Sequence, residues 1–436
     1  MMLTLLLVSL QSATATTGVE FPGTVVRAPR PNVLVLIADD FGVDLMGAYG
    51  EGSSPACTAN VDQLAAGGLL FRNAWANPTC SPTRASLLTG RHGFRTGVGG
   101  PLASTDAGLS LAETTLPEVL VGYSSAALGK WHLSGNQGDL HPNDSGFGSF
   151  AGGLRGAIPD YLLWRKTVDG QSAQTTTYAT TDTADEAIAA ITSLPEPWLT
   201  YVSFNAPHTP LHAPPVASCP ALPCPGSLCG NLPSNPTSAE YVKAMSEAMD
   251  QEIGRILAVL DVVDPDAYVI FVGDNGTARQ GTEAPFDPQH AKGTMYEGGV
   301  NVPLVIRGPG VRPGECGSLV SVVDLFATIA EIARVRISTE DSVSLVPYFR
   351  DPGLSLRETV YSESFEPNGG TLPFASHERA VRDERYKLIR RTGHSDEFFD
   401  LEADPFEAAN LLPSLTAAQQ AAYDQLAARL VALGVS

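Results

Sequence analysis

A chain of 436 residues with 43 % hydrophobic and 17 % charged residues can close its own core, and it is long enough for one large unit and a smaller one. Its formal charge of −20 excludes a nucleic-acid surface, which needs clustered Lys and Arg, and disfavours docking on anionic membranes. An anionic substrate therefore needs a local cationic pocket.

The chain opens "MMLTLLLVSLQSATATTG". Leu3 to Leu10 is apolar but too short to cross a bilayer, and Ala13-Thr14-Ala15 supplies a small-x-small cleavage site. Residues 1–15 are expected to be a signal peptide, although no Lys or Arg precedes the apolar run, and the protein is expected to be exported to the periplasm or beyond. Residues 16–30 read as a linker. No later segment is apolar enough over a sufficient length to span a membrane.

Four apolar runs of strand length follow: "NVLVLIADD" from Asn32, "SSAALGKWH" ending at His132, "WLTYVSFNAPH" ending at His208 and "AYVIFVGDNG" ending at Gly276. Continuous runs of this kind predict strands covered on both faces, hence a parallel sheet. "TDTADEAIAAITSL" reads as a helix capped by Thr181 and Asp182. "SAEYVKAMSEAMDQEIGRILAVL" puts Met245, Met249, Ile253, Ile256, Leu257 and Leu260 on one helical face. "VSVVDLFATIAEIA" reads as a strand leading into a helix. After residue 335 the pattern changes. "ETVYSESF", "ERAVRDERYKLIRR" and "DEFFDL" predict short antiparallel strands, and "SLTAAQQAAYDQLAARLVAL" a terminal amphipathic helix. The expected architecture is α/β: a large, mostly parallel sheet between helices over residues 31–335, with a smaller α+β subdomain and its short antiparallel sheet over 336–436.

All four runs end in chemically capable residues: Asp39 and Asp40, Lys130 and His132, His208, and Asp274 with Asn275. One strand ending in Asp is ordinary turn chemistry. Four such ends in one parallel sheet line up along one edge, where ligands bind. Asp39, Asp40, Asp274 and Asn275 offer only oxygen donors, and carboxylates crowded this way call for a hard divalent cation, calcium or magnesium. Against them stand the cations Arg84, Lys130, His132, His208 and Lys292. Two of the chain's five lysines lie in glycine-bounded stretches, "LGKWH" and "AKGTMYEGG". His212 is better explained as a structural histidine. A hard metal beside clustered cations describes a pocket for a tetrahedral oxyanion ester, in either a phosphatase or a sulfatase. The six cysteines fit no zinc spacing; one local disulfide is expected among Cys219, Cys224 and Cys229, with the pairing of Cys57 and Cys316 open.

"CSPTRASLLTGR", from Cys80, resembles the signature of the type I sulfatases in the alkaline-phosphatase-like superfamily, with Cys80, Pro82 and Arg84 matching C-x-P-x-R. "NVLVLIADDFGVDLMGAYG" before it, and "LGKWH", "APHTP", "GDNG", "HAKGTMYEGGVNVP", "ERYKLIR" and "FFDLEADPFEAANL" after it, occur in that family's order, across about residues 31 to 411. The resemblance implies that a formylglycine-generating enzyme converts Cys80 to formylglycine, whose hydrate is the nucleophile and touches the metal. It implies that Asp39, Asp40, Asp274 and Asn275 bind Ca²⁺, and that Arg84 and Lys130 stabilise formylglycine and sulfate. It implies His132 as the base in collapse of the sulfated intermediate, His208 and Lys292 at the sulfate and leaving oxygen, and Asp274 as activator of the attacking hydroxyl. The expected activity is hydrolysis of an aryl or carbohydrate sulfate. A phosphonate monoester or phosphodiester hydrolase of the same superfamily, or a silent sugar-binding relative, are the alternatives. Departures from the family pattern fall at Ala59, Asn301 and Ala327, outside the catalytic set.

Overall fold

The computed structural model describes residues 29–219 and 223–435. The expected signal peptide, and all of the linker except residues 29 and 30, lie outside the described residues. Among those described, no helix is long and apolar enough to cross a membrane.

A ten-stranded sheet forms the centre. Its strands are β1 (Val33–Ala38), β2 (Leu69–Trp75), β3 (Ser124–Lys130), β4 (Ser149–Gly153), β5 (Trp164–Val168), β6 (Gln171–Thr175), β7 (Trp198–Ser203), β8 (Tyr268–Gly273), β9 (Leu304–Arg307) and β10 (Gly314–Ser321). They lie in the order β10-β2-β9-β8-β1-β7-β3-β4-β5-β6. The four apolar runs are the consecutive neighbours β8, β1, β7 and β3, all parallel, and β4 continues the parallel set. Antiparallel β9 joins β8 to β2, and antiparallel β5 and β6 close the other edge.

The helices of eight residues or more are α1 (Ala59–Ala66), α2 (Cys80–Thr89), α3 (Ala179–Ser193), α4 (Ser238–Val263), α5 (Asp324–Ile332) and α6 (Ala417–Ala432). Strand β1 shows how they sandwich the sheet. Leu34, Leu36 and Ala38 join a core with residues of α1, α3 and α4, while Val33, Val35 and Ile37 join the opposite core with α2 and α5. Alternate side chains on a strand face opposite ways, so β1 is apolar throughout because both its faces are covered.

The predicted apolar face of α4 is buried as a unit, and the helix starts with a Thr237/Glu240 capping box. Helix α3 departs from expectation. It begins at Ala179, so Thr181 and Asp182 lie inside its first turn and do not cap it. Each has tertiary work instead: Thr181 donates to Glu252, and Lys166 pairs with Asp182 at 2.7 Å.

The C-terminal part is a four-stranded antiparallel sheet, β11 (Val360–Glu366), β12 (Ser376–Arg382), β13 (Tyr386–Arg391) and β14 (Glu397–Asp400), in that order. Val360, Ala380, Ile389 and Phe399 pack against Trp75, Met295, Val300 and Leu319 of the large unit. Their neighbours Tyr361, Val381, Leu388 and Phe398 pack on Leu426 and Leu430 of α6.

Two disulfides are present. Cys219–Cys229 is the expected local staple, and Cys57–Cys224 joins that loop to the segment before α1. Cys80 and Cys316 are free and buried.

Candidate active site

Helix α2 is buried at every residue and begins at Cys80. Pro82 falls in the first turn, where the backbone needs no intrahelical donor. Cys80 and Arg84 are then one turn apart on the same helical face. That is the local reason for the C-x-P-x-R spacing.

Three cations and three acids close around Cys80. Its sulfur lies 3.4 Å from the Lys130 ammonium and 4.0 Å from that of Lys292. Lys130 pairs with Asp39, and Lys292 pairs with Asp40 at 2.5 Å. Ligand atoms of Asp39, Asp40 and Cys80 all lie within 4.8 Å of one another. From β8, Asp274 accepts the Asp40 amide on one oxygen at 3.2 Å and Arg84 on the other at 2.7 Å. Asn275 donates its amide to Asp40 at 2.9 Å.

The electrostatics follow from burial and these pairs. Burial pushes the Asp39 carboxyl up, but the charges of Lys130, His208, Arg84 and Lys292 outweigh it and hold the group well below the usual carboxylate range. Asp274 is raised, by burial and by the nearby Asp39 charge. Burial pushes the Cys80 thiol up to about 11, against the pull of Lys130. A thiol so disposed is a poor thiolate nucleophile at neutral pH.

Asp39 Oδ1 and Asn275 Oδ1 are buried with no hydrogen-bond donor within the protein. Buried oxygens normally have partners. Two orphaned oxygens beside further carboxylates form the all-oxygen set that a hard divalent cation takes.

His132 sits at the end of β3 with φ 58°, in the left-handed region. Its Nε2 donates to Leu102 O at 3.3 Å in the tautomer that makes this bond, leaving Nδ1 without a partner. Burial, then the charges of Lys130 and Arg84, press its pKa well below the usual histidine value. In that tautomer Nδ1 presents a lone pair that nothing in the protein occupies. Gly129, with φ 82°, precedes Lys130 because a Cβ there would lie 2.0 Å from Ser203 O.

His208 stands further out, half-buried at the end of the β7 run, its Nδ1 facing the Thr209 carbonyl at 2.9 Å. It bears on the cluster through its charge on Asp39. His212 stacks on Tyr161 at 4.2 Å and meets the Tyr178 hydroxyl, a structural role. The three remaining lysines pair with carboxylates elsewhere.

Two positioning residues escape a sequence reading. Arg84 donates to Ser203 Oγ at 2.5 Å and to Lys130 O at 2.9 Å, so Ser203 fixes the guanidinium. Ser81 Oγ donates to His132 O at 2.9 Å, tying the cysteine's helix to the histidine's turn. Ser203 sits near the carboxyl end of β7, a polar residue in an apolar run, and that was the available signal. Asn301 donates to Arg72 O and makes no contact with Cys80.

Fold and site together place a cluster of cations and carboxylates around Cys80 at the carboxyl edge of an α/β sheet, the edge where such sheets bind ligands. The family model described as Sulfatase matches residues 31–335, and that of N-sulphoglucosamine sulphohydrolase, C-terminal, matches residues 287–435. Arylsulfatase G of Rattus norvegicus is 31 % identical over 432 residues, covering 84 % of this chain and 77 % of that protein. Arylsulfatase A of Bos taurus is 32 % identical, covering 89 % and 84 %. N-acetylgalactosamine-6-sulfatase of Homo sapiens is 32 % identical, covering 77 % and 69 %. Among solved structures, Ps i-CgsB in complex with k-i-k-neocarrahexaose matches with a TM-score of 0.76 at 23 % identity, covering 92 % of each chain. Another, in complex with its substrate D-glucosamine-2-N,6-O-disulfate, matches with a TM-score of 0.72 at 20 % identity, covering 92 % of this chain and 97 % of that one. The chain belongs to the type I sulfatase family. It is a sulfuric ester hydrolase.

Proposed function

We propose that this enzyme hydrolyses an aryl or carbohydrate sulfate through the hydrate of a formylglycine made from Cys80, beside a Ca²⁺ held by Asp39, Asp40, Asp274 and Asn275. The observation that carries the reading is the pair of buried, partnerless oxygens of Asp39 and Asn275 next to a thiol that burial keeps protonated. The hydrate supplies two hydroxyls, one to attack sulfur and one to help expel sulfate, and the cation supplies charge against the sulfate oxygens.

The chain's own residues do the rest. Arg84 holds Asp274 and the floor of the pocket. Lys130 and Lys292 draw the sulfate toward residue 80, and the unpartnered Nδ1 of His132 is the atom placed to accept a proton. His208, at the rim, faces the leaving oxygen. Asp274 takes the proton of the attacking hydroxyl. We take residues 31–335 as the catalytic unit and 336–436 as the C-terminal subdomain, in a chain exported after removal of residues 1–15 and matured by a formylglycine-generating enzyme. Two disulfides support export. The partners are a sulfated small molecule or sugar, with no role for nucleic acid or membrane.

The test is co-expression with a formylglycine-generating enzyme, mass spectrometry of the Cys80 peptide, and turnover of nitrophenyl sulfate against a phenyl phosphonate ester. Aldehyde at residue 80 with sulfate preferred is the expected result. Full activity from an unmodified thiol, or preference for the phosphonate, would sink the reading.

A further inference from the structure

A cavity of about 370 Å³ lies at the carboxyl end of β4, one strand beyond the end of β3. Its wall is coupled to the catalytic histidines. Trp131 and His132 donate their amides to Gly153 O and Leu154 O, at 2.9 and 3.2 Å. Gly156 is pressed against the His132 ring so closely that a Cβ there would lie 2.3 Å from Cε1. Further along the same segment, the Tyr161 hydroxyl donates to His208 O at 2.7 Å. Residues 153–161 thus lean on both histidines, and Gly156, within the segment that lines the cavity, touches the His132 ring.

The cavity's chemistry is mixed in a particular way. Leu154, Ile158 and Pro159 give an apolar floor, and Leu162 and Leu163 stand exposed beside Tyr161. Arg155 and Arg165 line the opening with Asp139. Arg155 donates one N–H to Gly135 O at 2.6 Å, which aims its guanidinium. A guanidinium carries five donors, so this anchor still leaves a fork suited to an anion. Arg165 meets Asp139 only at 3.8 Å across an exposed gap, a pairing that holds it weakly. Two arginines converge here in a chain with 27 basic against 47 acidic residues.

We propose that this cavity seats a sugar ring of a short oligosaccharide that carries a second anionic group, clasped by Arg155 and Arg165, while the scissile sulfate lies against Lys130 and Lys292. The apolar floor takes the ring face, and Asp139 accepts from ring hydroxyls. The second anion is a sulfate or a uronate carboxylate. This inference rests on the sulfatase reading above and adds the substrate class to it.

Arg155→Gln and Arg165→Gln variants are assayed on three substrates: a disulfated disaccharide, a monosulfated disaccharide bearing a uronate, and nitrophenyl sulfate. Loss of one charge-assisted contact is expected to lower kcat/KM on an anionic disaccharide by about 10-fold or more, through KM. Nitrophenyl sulfate, which carries no second anion for the arginines, keeps its rate. The disaccharide that suffers identifies the second anion. Equal losses on all three substrates, or no loss on either disaccharide, overturn the proposal. Calorimetry of both disaccharides on a Cys80→Ala background gives a readout independent of turnover: if wild-type protein cleaves no sulfate ester, the proposed function fails, and the cavity stands only if Arg155→Gln still weakens binding there.

Discussion

Thr277 donates its hydroxyl to Asp44 at 2.5 Å, joining the turn that follows Asp40 to the turn that follows Asn275. The same Thr277 oxygen accepts the Gly42 amide at 3.0 Å, and Asp44 accepts the Glu283 amide at 2.9 Å. Two strand ends that meet at the candidate metal site are thus clamped behind it by one buried pair.

Thr277→Val keeps the shape and removes the hydroxyl. Asp44 Oδ1 and the Gly42 amide then lose their shared partner in the interior, while Asp44 Oδ2 keeps the Glu283 amide, a loss of about 1–3 kcal/mol. A lowered denaturation midpoint is expected together with reduced calcium affinity. Unchanged affinity would show that the clamp supports only the fold.

Ser203→Ala removes one of the fixings of Arg84 without touching the substrate pocket directly. A fall of about 10-fold in kcat is expected, with KM nearly unchanged, as about 1.4 kcal/mol of orientation is lost. Ser203→Thr, which keeps a hydroxyl, should recover part of the rate. A KM effect alone would argue against positioning.

Calcium should stabilise the fold even without the aldehyde. In a Cys80→Ala protein, calcium at a hundred times its Kd should add about 2.7 kcal/mol. Asp40→Asn is the informative control, since Asn tolerates the left-handed backbone that Asp40 adopts at φ 65°. The control should lose most of the calcium-induced shift in Tm, and an equal shift in both proteins would place the ion elsewhere.

Asp250 on α4 accepts the amides of Asn60 and Val61 at the start of α1, and burial, outweighing those bonds, raises its pKa to about 6. The folded state holds this proton more tightly than the unfolded chain, whose value is 3.8. The contribution is therefore greatest at low pH and declines as pH rises through that window. The stability difference between wild type and Asp250→Asn should fall by about 3 kcal/mol from about pH 4 to about pH 7. Denaturant titrations at several pH values check the sign, and a difference that grows with pH would refute it.

Breaking Cys57–Cys224, which spans 167 residues, should cost more than breaking Cys219–Cys229, which spans 10. Loop-closure entropy puts these at about 5 and about 3 kcal/mol. Paired Cys→Ser variants compared by thermal unfolding decide the order.

The centre of the fold was legible because β8, β1, β7 and β3 are buried on both faces and so read as unbroken apolar runs. Their terminal Asp, Lys, His and Asn residues could be gathered into one site because parallel strands share a carboxyl edge. Strands β5 and β6 were not legible. They lie at the sheet edge with polar, partly exposed residues, and nothing in their spacing marks them. The short β4 and β9 are too brief for periodicity. Thr181 and Asp182 look like a cap, but a residue's capping chemistry does not decide where a helix starts when a buried Tyr178 and Ala179 precede it. The Cys57–Cys224 partnership depends on tertiary proximity that no local pattern carries. The serine that steadies Arg84 has a common side chain whose meaning comes only from what lies across from it.

Cys80 is 2 % exposed and belongs to a helix without one accessible residue. No second protein can grip that segment once the two cores have closed over it. On the proposed reading, chemical tailoring of the thiol belongs to the interval between synthesis and folding, and the fraction of catalyst obtained would become a contest of rates. If that reading holds, a host that folds this chain quickly would accumulate sound but idle molecules, with no route back short of unfolding them.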